Sequence, residues 1–411
     1  MLGAVWPEHG SSAAGVRDRD FADMFLTDAG WEVTFASSSK ITDYTYQIEA
    51  MGARVWPILL NDSSFDEGVK NLNPDVVWFD RFVTEEQFGW RVRESCPDAL
   101  TILDTQDLHF VRRARHEIIR NGGGLADVME TTSARYDWSG EIVWREVASI
   151  LRCDGTLVLS DFEYDLLCKN FSISPELLYL SRFFYRPQNF ATDFEEKKHF
   201  VMIGNFRHPP NLDALFWMHG EIWPQIRRAL PGVELHVYGA YPPREAMKLD
   251  DAKSGVRVMG WTPDQYATLE KYRVSLAPLR FGAGIKGKIT DSWQTRTAVV
   301  TTPVGAEGMC GGTEFGGCIA LTPDSFAEAA VAVYQQKALW LEHTQKGSAL
   351  LRLLYDRKTN AREFLSQLDQ WLENREKNRR QFWMGGLLRH HHLNGVRYFS
   401  KWIEEKNRNH Q

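Results

Sequence analysis

The 411-residue chain has only five cysteines, Cys96, Cys153, Cys168, Cys310 and Cys318, widely spread and with no CxxC pair. An odd count at such spacing argues against a disulfide framework and against a zinc site of ordinary ligand spacing, and predicts reduced thiols in a cytoplasmic protein. Long apolar runs are missing too. No stretch approaches the roughly 18 to 20 apolar residues of a membrane helix, and the opening MLGAVWPEHG turns polar within seven residues. Neither a span nor a cleaved leader is expected. Nor is there an excess of positive charge, since 48 Lys and Arg stand against 54 Asp and Glu, a formal net charge of −6. A nucleic-acid binder held by a dominant basic field is thereby disfavoured, and any basic site is local. What remains is a globular composition, 43% hydrophobic and 12% aromatic, long enough for two or three domains of about 150 residues.

Short β-branched and aromatic runs recur along the first half, at Gly3-Pro7, Glu32-Ser37, Ala53-Ile58, Asp75-Asp80, Leu100-Thr105 and Thr156-Ser160. Helical stretches at 14–29, 84–95 and 108–120 lie between them, with apolar residues at three-to-four spacing such as Phe21, Met24 and Phe25. Alternating strand and helix implies a parallel sheet covered on both faces. Residues 121–151, with three consecutive glycines from Gly122, break the rhythm and read as an excursion from the sheet. A polar connector at 187–198 separates this first unit, 1–186, from a second at 199–345. Strands are expected there at 199–205, 234–239, 257–261, 274–279, 298–302 and 318–321. A single helix over 211–230 carries Leu212, Leu215, Phe216, Ile222, Trp223, Ile226 and Leu230 on one face. Both units read as α/β, doubly wound.

Residues 346–411 are helical in pattern. The last 37 hold nine Lys or Arg against three Glu, with Phe382, Trp383, Leu387, Leu388, Phe399 and Trp402 among them. Two readings compete: a terminal helix packing its aromatic stripe on the domains, which is preferred, and a basic amphipathic segment making a peripheral contact with an anionic membrane. His390 to His392 read as a solvated run rather than a metal site.

The most informative segment is LRFGAGIKGKITDSWQTRTAVVTTPVGAEG, residues 279–308. A strand ends at Leu279, a glycine-rich turn follows, and a helix opens near Lys286. Gly282, Gly284 and Gly287 permit close backbone approach, while Lys286 and Lys288 put two cations in the first helical turn, together a diphosphate cradle at a strand's carboxyl end. The same residues nearly form a Walker A loop, but the hydroxyl it needs after Lys288 is replaced by Ile289, and no acid ends the next strand. A P-loop nucleotide-binding enzyme is therefore a minor alternative. Asp107 is placed to cap the following helix, and Ser160 with Glu163 forms a capping-box pattern.

Phe281 to Ile289 and Val299 to Gly308 resemble the donor-site region of retaining glycosyltransferases of the GT-B fold, family four (glycosyl transferases group 1). Supporting matches are 203–211 (IGNFRHPPN), 104–109 (DTQDLH), 160–163 (SDFE) and the first loop, 6–15 (WPEHGSSAAG), so that the resemblance spans residues 1–345. It implies two Rossmann-like domains facing a cleft, with C-terminal helices. The acceptor, a carbohydrate, lipid-linked or protein glycan site, would lie on the first domain and a nucleotide-sugar donor on the second. The implied reaction is hexose transfer with retention, with no metal, no cofactor beyond the donor as co-substrate, and no nucleic acid. By the same resemblance Lys286, Lys288 and Arg207 would stabilise the leaving diphosphate, with Lys288, Arg207 and His109 as the catalytic set and His109 beside the donor sugar. Gly15, Gly282 and Gly284 would let the backbone reach the phosphates, and Asp291 would hold the ribose. The chain departs from the family in having Asp291 in place of the usual Glu, Arg280 where a first Glu is usual, and Ser-Trp-Gln-Thr-Arg-Thr after Asp291. These departures motivate one alternative, a catalytically silent GT-B binding or scaffold protein. A nucleotide-sugar epimerase is another.

Overall fold

The computed structural model describes residues 1–7, 13–41, 43–133, 136–188 and 190–408. In the first domain seven strands form one parallel sheet: β1 (Leu2–Gly3), β2 (Thr34–Ser37), β3 (Arg54–Pro57), β4 (Val76–Asp80), β5 (Leu100–Asp104), β6 (Gly155–Val158) and β7 (Leu178–Leu180), in the order β3-β2-β1-β4-β5-β6-β7. In the second, β8 (Lys198–Ile203), β9 (Leu235–Tyr238), β10 (Val256–Gly260), β11 (Tyr272–Ala277), β12 (Ala298–Thr301) and β13 (Cys318–Ile319) pair in the order β10-β9-β8-β11-β12-β13. Helices cover both faces, which is why central strands such as Leu-Thr-Ile-Leu-Asp are buried at every position. The strand order reverses beside β1 in the first sheet and β8 in the second. In open parallel sheets the crevice outside such a switch point is the ligand site.

Three local expectations differ from the structure. β1 is only two residues long, and β7 had no counterpart in the pattern because its three residues, Leu-Tyr-Leu, are too few to show alternation. The 211–230 helix runs as Pro209–Trp217, a π-type turn at Met218–Ile222, and Trp223–Ala229. Pro224 has no N–H to close an ordinary turn onto Gly220, so the wider turn precedes it; Phe216, expected on the apolar face, is exposed.

After the second sheet, helices Pro323–Gln335 and Lys337–Leu354 pack on that domain. The chain then crosses back beside the first crossing, with Tyr185 N donating to Tyr355 O at 2.7 Å and Arg357 N to Tyr185 O at 3.0 Å. Helix Arg357–Gln381 thereafter completes the first domain's core with Ala361, Phe364, Leu368 and Trp371. Gly155 makes room for this, since a Cβ there would lie 2.6 Å from the Trp371 ring. The final helix, Trp383–Arg408, packs on helices Glu141–Arg152 and Phe82–Ser95, but Trp383, Leu387, Phe399 and Trp402 point to solvent. The preferred reading of a stripe packed on the domains holds only for Phe382, which packs on the first domain's core, and half-buried Leu388; over the other four it is corrected, and polar bonds anchor the helix there. The side chains of His391 and His392 lie outside the described residues. All five cysteines are free, and no described helix is long and apolar enough to cross a membrane.

Candidate functional site

The carboxyl ends of both sheets face one cleft, and the glycine-rich turn after β11 lies against the first domain. Gly284 has φ +64°, and a Cβ there would lie 3.1 Å from both Gln106 O and Asp107 Cβ. Its N–H donates to Glu163 Oε1 at 2.9 Å, and Leu108 N donates to the same oxygen at 2.8 Å. Gly284 therefore closes the two domains on each other here rather than presenting a free N–H. Close by, Arg115, fully buried, donates from Nη1 to Gly282 O at 2.9 Å and pairs with Glu307 at 2.7 and 2.9 Å, again across the cleft.

Helix Gly287–Gln294 starts at Lys286, as the spacing implied. Its first residue, Gly287, faces the first residue of helix Ala13–Thr27, with only 3.3 Å between Ala13 Cβ and a Cβ built on Gly287. Two helix N-termini, each the positive end of a macrodipole, thus meet across the cleft. Gly15 sits inside the first turn of helix Ala13–Thr27, not in the expected loop. Residues 8–12 of that first-loop motif lie outside the described residues. Lys286 Nζ donates to Gly284 O at 2.6 Å and Lys288 Nζ to Asn211 Oδ1 at 2.7 Å. Burial lowers both ammonium groups to about 8, which leaves them mostly charged at neutral pH. Arg207 lies at the exposed rim of the β8 loop, its guanidinium 3.6 Å over the Tyr241 ring.

Asp291 follows on the same helix. Tyr185 OH donates to its Oδ1 at 2.5 Å, Tyr266 bonds to it as well, and burial raises the carboxyl to about 7. Ile289, the residue a P-loop would need as Ser or Thr, is packed in the core.

On the facing wall His109 opens helix His109–Arg120 and borders a cavity of about 350 Å³ with Arg112, Arg113, His116, Ile142, Pro209, Pro210 and Phe281. Its Nε2 lies 3.3 Å from Asp107 Oδ1, and Arg112 Nε donates to Asp107 Oδ2 at 2.7 Å. Burial lowers His109 to about 4 despite Asp107, so the ring is neutral. A carboxylate only accepts, so the single ring proton belongs on Nε2 and Nδ1 is left an acceptor. Asp107 does not cap its helix. Glu146 does, taking His109 N at 3.1 Å and Phe110 N at 3.0 Å. Ser160 does cap the helix after β6, accepting from Glu163 N at 3.2 Å, but the Glu163 carboxylate reaches over to Leu108 and Gly284.

The structure thus places Gly282, Gly284, Lys286, Lys288 and Asp291 along one turn and helix start, with Lys286 turned to Gly284 O, Lys288 to Asn211 and Asp291 to Tyr185 and Tyr266. Gly287 lies beside the helix of Gly15, and Arg207 is at the rim; none of the five lines the cavity that His109 borders. Sequence reasoning missed Arg115, Glu146, Tyr185 and Tyr266 as members of this region, and although Glu163 and Glu307 lay within the matching motifs, it gave neither a role between the domains.

Two parallel doubly wound sheets facing a cleft, with the last helices returning to the first domain, define a GT-B fold. Within it, residues 197–336 match the family model described as glycosyl transferases group 1. A search of the curated proteins gives no match. Among solved structures the chain is similar to a glycosyltransferase from Rickettsia africae ESF-5, with TM-score 0.65 and 11% identity over 91% of this chain and 98% of that one. It is similar to Anabaena HepE in complex with UDP and glucose, with TM-score 0.65 and 10% identity over 90% and 99%. It is also similar to an S. aureus TarM variant in complex with fondaparinux, alpha-GlcNAc-glycerol and UDP, at TM-score 0.56 and 12% identity over 74% of this chain. The chain spans 57% of the length of that TarM and nearly all of the other two.

Proposed function

We propose that the protein is a glycosyltransferase that moves a hexose from a nucleoside diphosphate sugar to a carbohydrate, lipid-linked or protein acceptor, with retention and without a metal. The observation that carries this reading is Lys286 and Lys288 at a helix N-terminus that meets a second helix N-terminus across the cleft. As the nucleoside diphosphate leaves, negative charge develops on its oxygen. Fixed ammonium groups and helix N–H groups stabilise that charge most in the transition state. Arg207 closes on the diphosphate from the rim, and neutral His109 accepts a hydroxyl of the reacting sugar through Nδ1. Asp291 retains lone pairs beyond those its two tyrosines use, which suffices for ribose hydroxyls. The family match over the second domain and the UDP and glucose bound by HepE support the same reading. The free cysteines fit a cytoplasmic setting.

The Tyr185 and Tyr266 bonds to Asp291 favour one other reading, a GT-B protein that binds a nucleotide without transfer, because the ribose then competes with two phenols. Thermal stabilisation by UDP-, GDP- and ADP-sugars without metal, beside ATP with magnesium, separates the readings. A donor at about 100 times its Kd stabilises by roughly 2.7 kcal/mol, and Lys288→Ala abolishes the shift. Stabilisation without sugar release or transfer supports the silent reading. Conversion of donor alone to an isomer supports an epimerase, and a response to ATP with magnesium only revives the phosphate-loop enzyme.

A further inference from the structure

The last helix, Trp383–Arg408, reverses the usual amphipathic arrangement. Toward the first domain it turns polar groups. Arg91 Nη2 donates to Ser400 Oγ at 2.9 Å, Ser400 Oγ donates to Asn61 Oδ1 at 3.1 Å, and Arg397 pairs with Glu94 at 2.8 Å. With Ser400 as the inward direction and about 100° of rotation per residue, Trp383, Met384, Leu387, Tyr398, Phe399 and Trp402 fall within about 80° of the outward direction. All six are between 40% and 67% exposed. They form two apolar groups on that face, Trp383, Met384 and Leu387, then Tyr398, Phe399 and Trp402, spread along about 29 Å of helix. Leu59 and Leu60, both exposed, precede Asn61 and extend the surface past the carboxyl end of β3.

Charge says what covers this stripe. Lys401 and Lys406 are exposed on its flanks, with Lys406 Nζ 5.4 Å from the Trp402 ring. Of the nine Lys or Arg in residues 375–411, Arg375, Arg379, Arg389, Arg397 and Arg408 are ion-paired, so Lys401 and Lys406, with exposed Glu405 between them, set the charge beside the aromatic rings. Aromatic rings between lysines suit the boundary of a bilayer, where rings enter the headgroup layer and ammonium groups meet lipid phosphates. We propose that the outward face of helix Trp383–Arg408 docks the protein on an anionic membrane surface. Docked this way, the β3 end of the first domain stands beside the lipid. The inference is independent of the donor chemistry, and its test needs no donor.

The test is co-sedimentation of the full chain with phosphatidylcholine vesicles, with and without phosphatidylglycerol. Wild type binds the anionic vesicles, releases as salt is raised, and leaves the neutral vesicles largely unbound. Phe399→Ser with Trp402→Ser, and separately Lys401→Glu with Lys406→Glu, each lower the partition coefficient by roughly tenfold or more, in line with the worth of each basic residue near such a surface. These side chains are exposed, so unchanged circular dichroism is expected and confirms that the variants fold. The proposal is overturned if wild type fails to sediment with anionic vesicles, or if both paired variants bind as wild type does. A concentration-dependent dimer abolished by the Phe399 and Trp402 changes would overturn it too, by giving the stripe to a second copy.

Discussion

Glu163 offers a sharp test of how the two domains are held, because its carboxylate is wholly buried and bonded to both of them. Burial, opposed by N–H bonds from Leu108 and Gly284, raises it from 4.5 to about 7, with Asp107 adding to the rise and Lys286 opposing it. A group whose pKa is raised on folding contributes stability that is complete below the unfolded value and lost as pH climbs through the folded one. The window here runs from about 4.5 to about 7. Two and a half units correspond to roughly 3.4 kcal/mol at the acid limit, of which about 2.5 kcal/mol is lost between pH 5 and pH 8. Glu163→Gln cannot ionise, yet its amide oxygen can still accept from the backbone. Asp20 and Asp291 also rise to about 7 and give wild type further pH dependence. The difference between wild type and variant cancels their part. Thermal unfolding followed from pH 5 to pH 8 should show near-equal midpoints at pH 5. At pH 8 the variant should lead by about 5–10 °C for a unit of domain size. A difference that stays flat across the range, or a variant less stable at pH 8, would refute the reasoning. It would mean that the donors on Glu163, the Leu108 and Gly284 N–H groups and Ser160 Oγ at 3.1 Å, outweigh its burial.

Arg115→Leu strands Glu307 and leaves Gly282 O without its donor, which should cost about 3–5 kcal/mol by calorimetry, with much of the loss recovered when Glu307→Leu is added. Gly284→Ala forces a side chain into the left-handed region at 3.1 Å from Gln106 O. It should destabilise by about 1–2 kcal/mol and raise the radius of gyration seen by X-ray scattering. Because Lys286 and Lys288 both titrate near 8, donor affinity measured by calorimetric titration should hold to pH 7 and weaken by roughly 10- to 100-fold by pH 9. An affinity unchanged at pH 9 would remove both lysines from the phosphate site.

Much of the fold was legible because its signals are local. Strand β5, helix His109–Arg120 and the turn into helix Gly287–Gln294 each announce themselves within a dozen residues, through a β-branched run, three-to-four spacing, or glycine followed by lysine. β7 was hidden by its length, and the π-type turn by a proline whose missing N–H matters only once the helix has formed. Most of the aromatic stripe of the final helix faces outward, against expectation, because composition reveals that a stripe exists and not which side the domain takes. Here Arg91, Asn61 and Glu94, far away in sequence, decided it.

The glycine-rich turn shows the same limit at the site itself. From its spacing it is a cradle, and the helix start with Lys286 and Lys288 agrees. In the closed cleft, however, the Gly284 N–H belongs to Glu163 and the Gly282 carbonyl to Arg115, both from the first domain. A diphosphate reaching for the Gly284 N–H must therefore displace a carboxylate of its own sign or await its protonation. The turn that the sequence presents as a binding loop is, in the folded molecule, the latch between domains, so a donor bound as proposed would compete with domain closure for the same backbone groups. No spacing rule could show this, because each partner of the turn lies more than a hundred residues away and meets it only after both sheets have formed.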